Sequence, residues 1–109
     1  MQYKITGKVV RGDGYGRKLG FPTVNLGATL PSGIKDGVYA GTAILDEKEY
    51  KAGIVIGPHG RIEGHLIGFD GDAYGKAVTL TLNKFLREYK KFDTEEELII
   101  QIKKDLENI

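Results

Sequence analysis

Polar and apolar residues alternate from the start of the chain. Between Met1 and Val10, Tyr3, Ile5 and Val9 fall on one face of an extended segment, with Gln2, Lys4, Thr6 and Lys8 on the other. Arg11 to Gly20 breaks the pattern with glycines at 12, 14, 16 and 20 and is read as a loop. Phe21 to Leu26 is short and extended, because Pro22 cannot sit inside a helix and biases Phe21 away from helical dihedrals. A second loop follows to Asp36. Gly37 to Leu45 predicts a strand and Glu49 to Ile56 its hairpin partner, joined by the polar turn Asp46-Glu47-Lys48, with Tyr50, Ala52, Ile54 and Ile56 on the buried face. Gly57-Pro58-His59-Gly60 is a turn, Arg61 to Phe69 the next strand, and Lys76 to Leu82 another, with Val78, Leu80 and Leu82 alternating.

The period then changes. Leu98, Ile99, Ile102, Leu106 and Ile109 share one side of a helix, and Thr94 with Glu97 makes a capping box at its start, Asp93 being the alternative cap. Five or six short strands followed by one helix predict an all-β domain, a closed or nearly closed barrel, since closure removes exposed edges. The helix is expected over one end or one seam.

Composition narrows the picture. The 109 residues fit one domain, spanning 1–109, with one modest core. There are no cysteines, which excludes disulfides and thiolate metal sites; with only His59 and His65 present, a histidine metal site is not expected. A net charge of +1 supplies no strong field toward nucleic acid or an anionic membrane. No apolar run is long enough to span a bilayer, and the first ten residues do not resemble a signal peptide. A cytoplasmic monomer is expected. The 16 glycines are about twice the usual share of roughly 7% and call for many turns and at least one functional loop.

The chemistry concentrates between Gly12 and Asn25. Backbone N–H groups of a glycine loop can cradle phosphate oxygens, and Arg17 and Lys18 can add positive charge. The loop does not end in the Lys-Ser/Thr of a Walker A loop, and its spacing is not that of a Rossmann fingerprint, so an ordinary hairpin connection remains open. Thr23 and Asn25 place a hydroxyl and an amide oxygen on one side of an extended segment, a pair that can help hold Mg²⁺ or simply cap turns. Glu63 shares a strand face with His65 and Ile67, away from Ile62 and Leu66.

The run Gly7 to Leu26, containing Gly16-Arg-Lys-Leu-Gly-Phe-Pro-Thr-Val-Asn25, resembles the opening signature of the riboflavin kinase family, with Val24 in place of the usual alanine. The resemblance continues in order through Gly37-Val-Tyr-Ala40, Ile62-Glu-Gly-His-Leu66, Asp72-Ala-Tyr-Gly75, Leu86-Arg87 and Lys91-Phe-Asp93, so it covers nearly the whole chain. It implies a six-stranded Greek-key barrel with a C-terminal helix, riboflavin and ATP as substrates, Mg²⁺ as cofactor, and FMN as product. By motif match, Gly12, Gly14, Gly16, Arg17, Lys18 and Gly20 would cover the nucleotide phosphates. Thr23 and Asn25 would hold the metal, and Glu63 would be the catalytic base. Arg87, Tyr89 and Phe92 would line the flavin site, with Phe85 and Leu86 as further candidates; alternatively Phe85 and Phe92 belong to a barrel-to-helix core.

The chain departs from the family pattern in four places. The stretch between Gly57 and Glu63 is trimmed; Val55 replaces an asparagine, Gly68 an aspartate, and Tyr89 a glutamate. The adenylyltransferase domain carried by many bacterial relatives is not present, so FAD synthesis is not expected. Two rival readings remain: a catalytically degenerate flavin- or nucleotide-binding barrel, and a small nucleic-acid-binding barrel using Tyr15, Arg17, Tyr39 and lysines.

Overall fold

Six antiparallel strands close on themselves in a computed structural model that describes residues 3–11, 20–21, 23–69 and 71–109. They are β1 (Tyr3–Val10), β2 (Val24–Gly27), β3 (Gly37–Leu45), β4 (Lys48–Gly57), β5 (Arg61–Leu66) and β6 (Ala77–Arg87), followed by one helix, α1 (Glu95–Glu107). Around the barrel the order is β1-β2-β5-β4-β3-β6, with β6 returning to β1. Strands β3, β4 and β5 form a meander, and β6 comes back beside β3, which is the Greek-key arrangement.

The alternation read from the sequence sets the two faces. Inward residues such as Ile54, Ile56, Leu80 and Ala43 are fully buried and fill the interior as one cluster. The barrel is therefore a packed core with no lumen. Gly41 marks its tightest point: a Cβ there would lie 1.8 Å from the Thr81 carbonyl oxygen, where the β3–β6 register shifts.

Several boundaries differ from expectation. The β3–β4 hairpin turns on two residues, not three. Lys48 pairs with Leu45, and Asp46 and Glu47 both take positive φ (50° and 66°), as a tight hairpin loop requires. Strand β5 ends at Leu66, not Phe69, because Gly68 turns the chain with φ of 86°. Strand β6 runs five residues beyond Leu82; bulges against β3 let Asn83 to Arg87 stay paired after the simple alternation is lost. Strand β2 starts at Val24, later than Phe21.

Helix α1 begins where the sequence places it. Glu97 N–H donates to Thr94 Oγ1 at 3.1 Å, and three glutamates in the first turn complement the helix dipole. Just beyond the helix, Ile109 reaches the outer face of the barrel: a Cβ on Gly53 of β4 would lie 2.9 Å from Ile109 Cδ1. No residue of α1 is buried, although Leu98, Ile102 and Leu106 turn toward the wall, because they border a cavity. Among the described residues no helix is long and apolar enough to cross a membrane.

Candidate active site

Outward-facing residues of β5 begin the site. Ile62 and Leu66 point into the core, so Arg61, Glu63 and His65 must point out. Antiparallel pairing sets Asn25 of β2 opposite Glu63 on one side and Val55 of β4 opposite it on the other. Thr23 lies two residues before Asn25, on the same outer face. A hydroxyl, an amide and a carboxylate thus meet on one patch of the wall.

Glu63 is largely covered, its side chain 16% exposed. Arg61 Nε and Nη2 both donate to Glu63 Oε1, at 3.0 and 2.6 Å. The Arg61 stem lies along Gly57, where an added Cβ would be 3.5 Å from Arg61 Cβ and 3.4 Å from Tyr89 Cε1. His65 meets the ring of Phe21 edge-on at 6.2 Å between centroids.

A cavity of about 450 Å³ separates this patch from α1. Thr23, Arg61, Glu63 and His65 form its polar end. Tyr89, Phe92, Leu98 and Ile102 give it apolar walls, and Val38 and Val55 its floor. Val38 is buried although it is one position out of phase with the core residue Tyr39. The wall is fixed at its far end by Arg87, which holds Asp105 of α1 through two nitrogens, at 3.0 and 2.9 Å. Arg87 also lies over the ring of Phe92 at 5.6 Å, and Lys90 over the same ring at 5.4 Å.

The sequence-derived candidates fall into three groups. Thr23, Glu63, Arg87, Tyr89 and Phe92 line this one cavity, and Asn25 adjoins it beside Glu63. Phe85 does not: the residue is 41% exposed and its ring packs edge-on against Tyr39, with Lys35 over it, while Leu86 is likewise absent from the lining. Of the loop residues, Gly20 takes φ of 88°, a conformation suited to glycine, and Gly12, Gly14, Gly16, Arg17 and Lys18 lie outside the described residues. Sequence reading missed Arg61, Val38 and Asp105. Arg61 had a usable signal, since it lies two residues from Glu63 on a strand.

Thr23 and Asn25 offer hard oxygen donors, and among the described residues no group of three His, Cys, Asp or Glu is placed to hold a metal ion. That donor set fits Mg²⁺, which is held by few protein ligands and completes its shell with water and phosphate.

A family model described as flavokinase, riboflavin kinase, matches residues 1–109. The chain belongs to the riboflavin kinase family. It is 36% identical over 110 residues to the RNA-binding riboflavin kinase RibR of Bacillus subtilis, covering 94% of this chain and 47% of that protein. It is 33% identical over 111 residues to the bifunctional riboflavin kinase/FMN adenylyltransferase of Escherichia coli, covering 94% of this chain and 36% of that one. The chain therefore spans less than half the length of these curated relatives. Among solved structures, a Streptococcus pneumoniae chain described as a macrolide-efflux protein superposes with a TM-score of 0.85 at 31% identity, covering 95% of this chain and 37% of that one. The riboflavin kinase of Trypanosoma brucei shares the fold, with a TM-score of 0.71 at 23% identity over 97% of this chain and 73% of that one. RNA binding, adenylyl transfer and efflux are said of those proteins.

Proposed function

We propose that this chain is a riboflavin kinase, transferring the γ-phosphate of ATP to the terminal ribityl hydroxyl of riboflavin to give FMN. The observation that carries this reading is the cavity itself, which joins a covered carboxylate, Glu63, to apolar walls made by Tyr89, Phe92, Leu98 and Ile102. Its volume of about 450 Å³ suits a flat tricyclic ring with a polar tail. The ring lies against the apolar walls, and the ribityl chain runs toward β5. There Glu63 accepts the proton of the terminal hydroxyl as its oxygen attacks the γ-phosphorus. The new O–P bond forms as the bond from the γ-phosphorus to the bridging oxygen breaks, and ADP leaves with that electron pair. Thr23 and Asn25 would hold Mg²⁺, which would neutralise charge on the phosphates when bound. The Gly12–Gly20 loop covers the nucleotide in this reading, a monomer is the working unit, and the setting is cytoplasmic. The family relationship supports it, as does the retention of Thr23, Asn25 and Glu63 together.

The test is direct. Purified protein incubated with riboflavin, ATP and Mg²⁺ is expected to form FMN, followed by chromatography, with CTP in parallel to name the donor. Flavin or nucleotide binding without FMN in either tube would reduce the chain to a binding barrel.

A further inference from the structure

Resting on that reading, we propose that Arg61 is a catalytic residue, an arginine that exchanges the Glu63 carboxylate for the transferring phosphoryl group when the nucleotide is bound. Three observations lead there. Arg61 Nε and Nη2 fall on the same oxygen, Glu63 Oε1, at 3.0 and 2.6 Å. The attacking hydroxyl must lie between Glu63 and the γ-phosphorus, so a guanidinium in contact with Glu63 is about one group away from the phosphoryl oxygens. Arg61 lines the cavity with its side chain 46% exposed, while that of Glu63 is 16% exposed, so the arginine is the more accessible of the two to an incoming phosphate.

The exchange follows from charge and shape. A triphosphate carries more negative charge than one carboxylate, and its oxygens match the planar fork of a guanidinium. The short Pro58–Gly60 turn places Arg61 at the first position of β5, opposite Gly57 of β4. In the empty site Arg61 occupies the carboxylate; in the filled site it turns to the γ-phosphoryl group and frees Glu63 for the hydroxyl proton. The chemistry is otherwise unchanged: the ribityl oxygen bonds to phosphorus, its proton goes to Glu63, and ADP departs with the electrons of the broken bond.

The test uses the full chain as wild type, Arg61→Gln and Arg61→Lys. Dissociation constants are measured by calorimetry for ADP and for the non-hydrolysable β,γ-imido analogue of ATP, both with Mg²⁺, and turnover is measured as FMN formed. Arg61→Gln is expected to weaken the analogue about 10-fold while leaving ADP unchanged. Its kcat is expected to fall by about 100-fold or more, with riboflavin affinity retained. Arg61→Lys is expected to recover part of the analogue affinity, because it keeps the charge but loses the fork. Equal weakening of ADP and the analogue would overturn the contact. FMN formation that Arg61→Gln leaves intact would remove the catalytic role and leave the kinase reading standing. Wild-type protein that makes no FMN, yet prefers the analogue through Arg61, would retire riboflavin as acceptor and leave the phosphate contact in place.

Discussion

Arg87 and Asp105 meet fork to fork: Nε lies 3.0 Å from Oδ1 and Nη2 2.9 Å from Oδ2, with Gln101 donating a further bond to Oδ1 at 3.0 Å. The pair joins the last residue of β6 to the last turns of α1, and both side chains are mostly covered (22% and 13% exposed). Such a pair is intermediate between a surface bridge and a buried one. Asp105→Asn is expected to cost about 1–2 kcal/mol in urea unfolding. Because the pair ties α1 to β6 and both residues line the cavity, riboflavin affinity should fall several-fold in the same variant, measured by flavin fluorescence. An unchanged affinity would mean that the helix position does not shape the flavin site.

Glu63→Gln keeps the size and the hydrogen-bonding reach of the side chain but removes its capacity to accept a proton. The expected result is a drop in kcat of about 100- to 10,000-fold with riboflavin and nucleotide binding nearly unchanged. Steady-state rates and binding titrations separate the two effects. Full turnover in this variant would remove Glu63 from the mechanism.

The interior sets a different test. A methyl group at Gly41 would meet the Thr81 carbonyl oxygen at 1.8 Å, whereas at Gly64, also inward, it would meet Leu80 Cδ2 at an ordinary 3.4 Å. Gly41→Ala is expected to destabilise the barrel by about 3 kcal/mol or more, since backbone on β6 must move, and Gly64→Ala by less than about 1 kcal/mol. Chemical denaturation of the two variants side by side measures the contrast. Similar losses at both positions would contradict the close approach of β3 and β6.

Tyr39 adds a pH dependence. Burial pushes its hydroxyl above the ordinary value of 10.0, with the Lys35 ammonium pulling against the rise. The unfolded chain therefore releases this proton first, and its contribution to stability is present below about pH 10 and lost as pH rises toward the folded-state value. Tyr39 Oη also donates to the Lys35 carbonyl oxygen at 2.6 Å. Tyr39→Phe is expected to cost about 1 kcal/mol at pH 7. The gap to wild type should narrow above pH 10, read from thermal unfolding across pH. A gap that stays constant to pH 11 would mean that Tyr39 does not titrate differently in the two states.

Much of the fold was legible because strand alternation is a local property. Val78, Leu80 and Leu82 announced β6, and the same rule turned Glu63 away from Ile62 and Leu66. It failed where pairing continues without alternation, as from Asn83 to Arg87, where bulges against β3 hold the strand together. The seat of α1 was not legible either. An apolar stripe from Leu98 to Ile109 requires a partner but does not say which, and Ile109 meets Gly53, a residue with no side chain to signal it. Thr23, Asn25 and Glu63 were found through their motifs. Arg61 stands directly after a turn and belongs to no motif, although a spacing of two on a strand puts it beside Glu63.

Strand β5 has a further consequence, one of length. Its six residues carry core and chemistry on alternate positions, so one residue inserted or removed within it would turn Ile62 and Leu66 to solvent and drive charged side chains into a sealed interior. The Pro58–Gly60 turn just before it has no such parity to keep. A change of chain length is therefore tolerated at that turn and not a few residues later.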